Sequence, residues 1–182
     1  ELVMYKATVR ALVRHGLKKL NAGDPSFLLA MAHPEADLAF PGDNSFAAMY
    51  RPVVKGPDAH ITHRGADELQ GFAHRFVRER LEFVVEDILV NGLPHRTRVA
   101  VRGRMRIPGP GLGAPDEYQN RIVAYITLGW GRMVAWEDYE DTERVSAWDA
   151  AATSADRRSR RADQAGLATA VRALAMASSK QE

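Results

Sequence analysis

The stretch "VAWEDYEDT", residues 134–142, puts acids where an extended segment should carry apolar side chains. In a strand, Val134, Trp136 and Asp138 fall on one face, while Ala135, Glu137 and Tyr139 fall on the other. Asp138 therefore shares a face with a tryptophan. A carboxylate in apolar surroundings has its charged form disfavoured, which raises its pKa and suits acid–base work near neutrality. Asp138 is the leading candidate for chemistry. Its structural alternative is an ion pair with Arg98 or Arg121 across a sheet. Glu137, on the opposite face, is expected at the surface or against another subunit.

Arg121 and Tyr125 alternate together on "NRIVAYITL" and are expected to face the same cavity as Asp138. A tyrosine hydroxyl there either donates to a developing oxyanion or serves as a core group with one satisfied hydrogen bond. Trp136, Phe40, Phe72 and Phe76 read as core or pocket wall. Tyr50 and Arg51, in a long loop, are placed as a lid over the pocket. His60 and His63 have three-residue spacing but no third ligand, so no metal is expected. "GPGLG" has no following helix or lysine, which makes it a turn-rich linker rather than a phosphate loop. No cofactor is expected.

These residues need elements to hold them. Residues 1–21 read as an amphipathic helix through Val9, Leu12, Val13, Leu17 and Leu20. Asp24 before Pro25 suits the start of a second, short helix. "ADLAF" alternates like a strand and stops at Pro41-Gly42, and 43–62 reads as a long loop with a turn of helix near 47–50. A third helix spans Gly65 to Arg80, burying Leu69, Phe72, Ala73 and Phe76. "LEFVVEDILVNG" and "TRVAVRGRMRI" form a hairpin about Asn91-Gly92. "EYQNRIVAYITL" and "RMVAWEDYE" add two strands joined at Gly129-Trp130-Gly131. Helices first, then a meander of long strands, indicates α+β: helices across one face of a curved antiparallel sheet.

The chain has 182 residues, 46% of them hydrophobic, enough for one sizeable core. Its formal net charge of +2 gives no reason to expect a nucleic-acid partner. It has no cysteine, which excludes disulfides, thiolate metal sites and cysteine nucleophiles. No apolar run reaches the length of a membrane span, and the first residues lack a signal-peptide pattern, so a cytoplasmic protein is expected. The domain is expected to occupy 1–149. An arginine-rich extension follows over 150–182, with a short helix in "AGLATAVRALAMA".

"NAGDPS", "ADLAFPG", "HRGADEL" and above all "GRMVAWEDYEDT" resemble the SnoaL-like branch of the superfamily that includes nuclear transport factor 2 and ketosteroid isomerase. The resemblance covers about residues 5–149. It implies a cone-shaped α+β fold with an apolar pocket over the sheet, and a homodimer. Within the superfamily the motif is similar to that of limonene-epoxide hydrolases. On that likeness Asp138 matches the last-strand aspartate, and Arg98 matches an arginine two residues before a second aspartate. Ala100 stands in place of that second acid. The ketosteroid isomerase acids and tyrosine fall near Gly16, Phe40 and Val123, so steroid isomerisation is not implied. Two readings stay open: a cofactor-independent enzyme on a small apolar molecule using Asp138, or a non-catalytic ligand-binding or scaffold protein.

Overall fold

The computed structural model describes residues 2–42, 44–48, 60–111 and 116–151. The chain divides into two units, residues 1–145 and 146–182. The boundary falls four residues before the expected one. The arginine-rich segment and its expected helix lie outside the described residues, as do Met49, Tyr50 and Arg51.

In the first unit, α1 (Leu2–Asn21) and α2 (Ser26–Met31) precede β1 (Ala32–Pro41). The Asp24 carboxylate accepts from the backbone and hydroxyl of Ser26, at 3.0 and 2.5 Å, just ahead of α2, whose N-cap is Pro25 and not Asp24. Next come α3 (Ser45–Ala48), β2 (His60–Arg64) and α4 (Ala66–Arg78), then β3 (Glu82–Leu93), β4 (Arg96–Ile107), β5 (Tyr118–Gly129) and β6 (Arg132–Glu140). β2 was not legible: in sequence it is a polar pentapeptide at the end of a long loop. It is an edge strand that pairs only with β1.

The six strands form one curved, open sheet in the order β2-β1-β6-β5-β4-β3. All pairs are antiparallel except β1 with β6, which run parallel, so the sheet is mixed. The parallel pair joins the first strand to the last, which puts β1 beside the acid-bearing β6.

The β3–β4 hairpin turns at Pro94-His95, not at Asn91-Gly92. Gly92 stays in the ladder opposite Thr97 with φ +102, and a Cβ there would sit 2.2 Å from the Arg96 carbonyl. The Asn-Gly pair thus serves a kinked strand end. At the next tip, Trp130 and Gly131 both have positive φ, 50° and 82°, as a two-residue type I′ turn requires.

Register assigns every strand residue to a face. Ile88, Val101, Ala124 and Asp138 form one row across β3–β6. Leu89, Ala100, Tyr125 and Glu137 form the neighbouring row on the opposite face. The first row is buried throughout and faces the helices; the second is the outer face. Helix α1 lies over the inner face, pinned at both ends. Tyr5 Oη shares a 2.5 Å hydrogen bond with Thr97, and the Asn21 side chain both donates to and accepts from the Phe83 backbone. Among the described residues no helix is long and apolar enough to cross a membrane.

Candidate functional site

Alternation along β6 delivers Trp136, Asp138 and Glu140 to the inner face. Asp138 is 5% exposed and sits in a row whose other members are Ile88, Val101 and Ala124. No cation is hydrogen-bonded to it among the described residues. The indole Nε1 of Trp136 donates to its Oδ1 at 2.6 Å. Burial pushes the Asp138 carboxyl well above its usual range, the Trp136 bond pulls against that, and the nearby Glu140 charge adds to the rise. The raising effects prevail.

Asp138 lines a cavity of about 50 Å³ between the sheet and helices α3 and α4. Its wall is largely aromatic, with Phe40 from β1, Phe46 from α3, Phe72 and Phe76 from α4, and Tyr118 from β5. Phe40 stacks on Phe72 at 5.2 Å between centroids, and Phe72 meets Trp136 at 5.8 Å. The wall is a side effect of α4's helical period, which turns Leu69, Phe72, Ala73 and Phe76 toward the sheet. In this state the cavity has room for one or two waters, or a small substituent, rather than a whole drug-sized ligand.

Arg75 also lines the cavity, and it is 7% exposed. Its guanidinium donates to the carbonyls of Ser45 and Phe46 and lies 4.5 Å from the centre of the Phe46 ring. This arginine fastens α3 to α4 and holds Phe46 in the wall. A second contact fixes the other end of α3. His63 Nε2 donates to the Ala47 carbonyl at 2.8 Å, while Nδ1 lies 3.1 Å from Glu68 Oε2. Both ring nitrogens face oxygen acceptors, an arrangement that the imidazolium satisfies. His63 therefore has a structural place. Among the described residues no group of three or more His, Asp or Glu side chains is set to hold a metal.

A second, almost wholly apolar cleft of about 140 Å³ lies on the far side of Trp136. α1 and α2 line it through residues such as Leu12, Leu17 and Phe27, and the sheet contributes Ile126 and Met133. Trp136 thus stands between a dry cleft and a carboxylate.

The structure brings Trp136, Phe40, Phe72 and Phe76 together around Asp138. It separates Arg98, Tyr125 and Arg121 from it. Arg98 pairs with Asn91 and Thr127, Tyr125 with Ala100 and Glu137, and Arg121 with Arg104, all in register on the outer face. The reason is the period of two: Arg121 and Tyr125 do share a face, but it is Glu137's. Arg98 is likewise an outer residue, and the inner positions of β4 near this row are Thr97, Val99 and Val101, each 0% exposed. So neither Arg98 nor position 100 reaches Asp138, and no Arg98 or Arg121 ion pair forms there. Tyr50 lies outside the described residues.

Sequence reading missed Glu140. The signal was present, because Glu140 is two residues beyond Asp138 in the same alternation and within the same strand. Glu140 lines the same cavity, and burial followed by the charge of Asp141 pushes its carboxyl up to about 7, against a hydrogen bond from Asn120. Arg75 was missed because an arginine between two core phenylalanines looks like a solvated residue.

No known family model matches the sequence, and no curated protein matches it significantly. Solved structures do match in fold. An NTF2-like protein of unknown function from Burkholderia pseudomallei superposes with a TM-score of 0.57 at 20% identity, covering 77% of this chain and 95% of that one. A putative SnoaL-like polyketide cyclase from Jannaschia gives 0.52 at 17% identity, over 79% and 92%. A putative polyketide cyclase from Streptomyces antibioticus gives 0.51 at 15% identity, over 76% and 96%. With its six-stranded mixed sheet and inner-face helices, the chain has the NTF2-like fold that SnoaL-like proteins share.

Proposed function

We propose that this protein binds a small, largely apolar molecule between its helices and sheet and transfers a proton to or from it through Asp138. The observation that carries this reading is a single carboxyl in an apolar row, held by the Trp136 indole at 2.6 Å and lining an aromatic cavity. Desolvation keeps such a group protonated closer to neutrality, where it can both give and take a proton. A buried acid also costs stability, so its presence in an otherwise apolar row calls for a use.

Isomerisation, cyclisation, dehydration and hydrolysis all need a proton moved at a defined atom, and Asp138 can supply that step in each. The putative polyketide cyclases among the similar folds favour proton abstraction beside a carbonyl, although at their level of identity they share only the fold. The apolar cleft behind Trp136 has about the volume that holds a benzene-sized body, which suits the unreactive part of such a molecule. The outer sheet face, with its Leu89-Ala100-Tyr125 row, is assigned to a homodimer.

The test is deuterium incorporation beside the carbonyl of a panel of small apolar ketones in D2O, read by mass spectrometry. Asp138→Asn keeps shape and removes the titratable proton. It should lower incorporation by roughly two to four orders of magnitude. Incorporation that is equal in wild type and mutant removes Asp138 from the chemistry.

The alternative is a non-catalytic binding protein. It is favoured by the small acid cavity and by the apolar character of Val99 and Val101, where a second polar group would help catalysis. Saturable binding of an apolar probe with no turnover by wild type supports it.

A further inference from the structure

Asp138 is only 5% exposed and stands in an apolar row, so a proton that leaves it needs a route to water. Glu140 is placed to provide one. It lies two residues further along the same strand face, roughly 7 Å on at the backbone. It lines the inner cavity with Asp138 and also an outer crevice with Arg102, Arg104 and Arg121. Asp138 lines only the inner one of these two.

The carboxyl is also held in place. Asn120 is 2% exposed, and its Nδ2 donates to Glu140 Oε2 at 3.2 Å and to the Asp141 carbonyl at 2.9 Å. An amide shared between the side chain and the strand end fixes the direction of Glu140 while leaving its other oxygen for a proton.

We propose that Glu140 is the solvent-side acid–base residue of this site, passing protons between bulk water and Asp138. In the step, the Glu140 carboxyl gives its proton to the Asp138 carboxylate, directly or through one water in the cavity. Glu140 is left as the carboxylate and regains a proton from solvent; the reverse order unloads Asp138. The proposal rests on Asp138 being the proton-transfer group.

The electrostatic surroundings agree with that role. Glu140 titrates near neutrality, and its charge raises Asp138, so the two do not ionise independently. Within the cavity the other charged or titratable groups are Arg75, tied to the Ser45 and Phe46 carbonyls, and Tyr118. Asp141 at the strand end raises Glu140 further. In the crevice, Arg104 and Arg102 pair with Glu86 at 3.2 and 3.9 Å, while Arg121 and Tyr139 complete the rim.

The Trp136 indole reads the protonation of Asp138 because its N–H is bonded to that carboxylate. Nitrogen-15 labelling of tryptophan, with Trp136→Phe for assignment, gives a signal to follow with pH. In wild type the Trp136 signal should show two midpoints, and relaxation dispersion near them gives the proton-exchange rate. Glu140→Gln should leave one midpoint, moved down, and slow exchange at least tenfold. Glu140→Asp should restore two midpoints and part of the rate. A Glu140→Gln protein with unchanged midpoints and exchange rate would overturn the relay. These readouts need no substrate, so the relay stands or falls separately from turnover: loss of deuterium incorporation in Asp138→Asn beside an unchanged Trp136 profile in Glu140→Gln removes the relay alone.

Discussion

The Trp136 indole donates to Asp138 Oδ1 at 2.6 Å, and both side chains come from one face of β6. Residues two apart on a strand lie roughly 7 Å from each other at the backbone, so only a long donor bridges them. The tryptophan does two things with one ring. It closes the apolar cleft under α1, and it turns its only polar atom toward the acid. The second oxygen of Asp138 receives no hydrogen bond among the described residues, which leaves it as the atom for a proton or a ligand.

Trp136→Phe tests this division. The bond to Trp136 holds the Asp138 carboxyl down against burial, so its loss should move the Asp138 midpoint further up. Stability should fall by about 1–3 kcal/mol from the lost bond to the acid and the space left by the smaller ring. Carbon-13 carboxyl NMR and urea unfolding measure the two effects. An unchanged or lower midpoint would show that the indole does not govern Asp138.

The pH dependence of stability has a defined sign. Burial holds Asp138 above its ordinary value of 3.8 and Glu140 at about 7 against 4.5. The folded protein therefore keeps protons that the unfolded chain has already released. Stability from these groups is complete below the unfolded values and is lost as pH rises through the folded ones. Asp138→Asn has no such proton, so its urea midpoint should gain on wild type from pH ~4 to pH ~8. A mutant midpoint that falls relative to wild type as pH rises contradicts the buried-acid assignment.

The fold was legible because its signals are periodic. The alternation of "RMVAWEDYE" gives β6 from Arg132 to Glu140 and sets Asp138 on one face with Trp136. The spacing of Phe72 and Phe76 gives α4. The misplaced partners have one cause: alternation inside a strand says which residues share a face, and only pairing says which face. Arg98, Arg121 and Tyr125 needed the register with Glu137 to be placed. β2 and the buried bonds of His63 and Arg75 were hidden for a different reason, since polar residues acquire burial only through tertiary contacts. Gly92 looked like a turn because Asn-Gly favours positive φ in turns and kinked strands alike.

Two glycines should respond to alanine with opposite signs. Gly103 lies on the inner face of β4, where a Cβ would sit 2.3 Å from the Val84 carbonyl and 2.7 Å from the Phe83 ring. Backbone cannot give way there, and Gly103→Ala should cost about 2–4 kcal/mol. Gly71, exposed in α4, has nothing within 4 Å of its would-be Cβ. Gly71→Ala should stabilise by about 0.5–1 kcal/mol through helix propensity. Urea unfolding of both variants checks the pair, and a tolerated Gly103→Ala would mean that β3 and β4 are not held at this distance.

The outer face supplies the last prediction. Four strands about 4.8 Å apart and up to twelve residues long present roughly 19 by 40 Å, close to the ~800 Å² that each partner gives to a standard interface. One row across it runs from Leu89, 63% exposed on the edge strand β3, through Ala100 and Tyr125 to Glu137 on β6, with Glu86 and Arg104 beside it. That is an apolar stretch running in from the sheet edge and flanked by charged residues of both signs, which suits an interface between copies. Light scattering at micromolar concentration should report two chains for wild type. Leu89→Glu puts a charge on the most exposed apolar residue of the row, on the edge strand β3, and should give one chain, with unfolding stability in each monomer altered by no more than about 0.5 kcal/mol because the site is exposed. A wild-type monomer removes the dimer outright. A dimer that survives Leu89→Glu moves the interface away from this row, and Tyr139, 48% exposed on the same face, would then be the next residue to substitute.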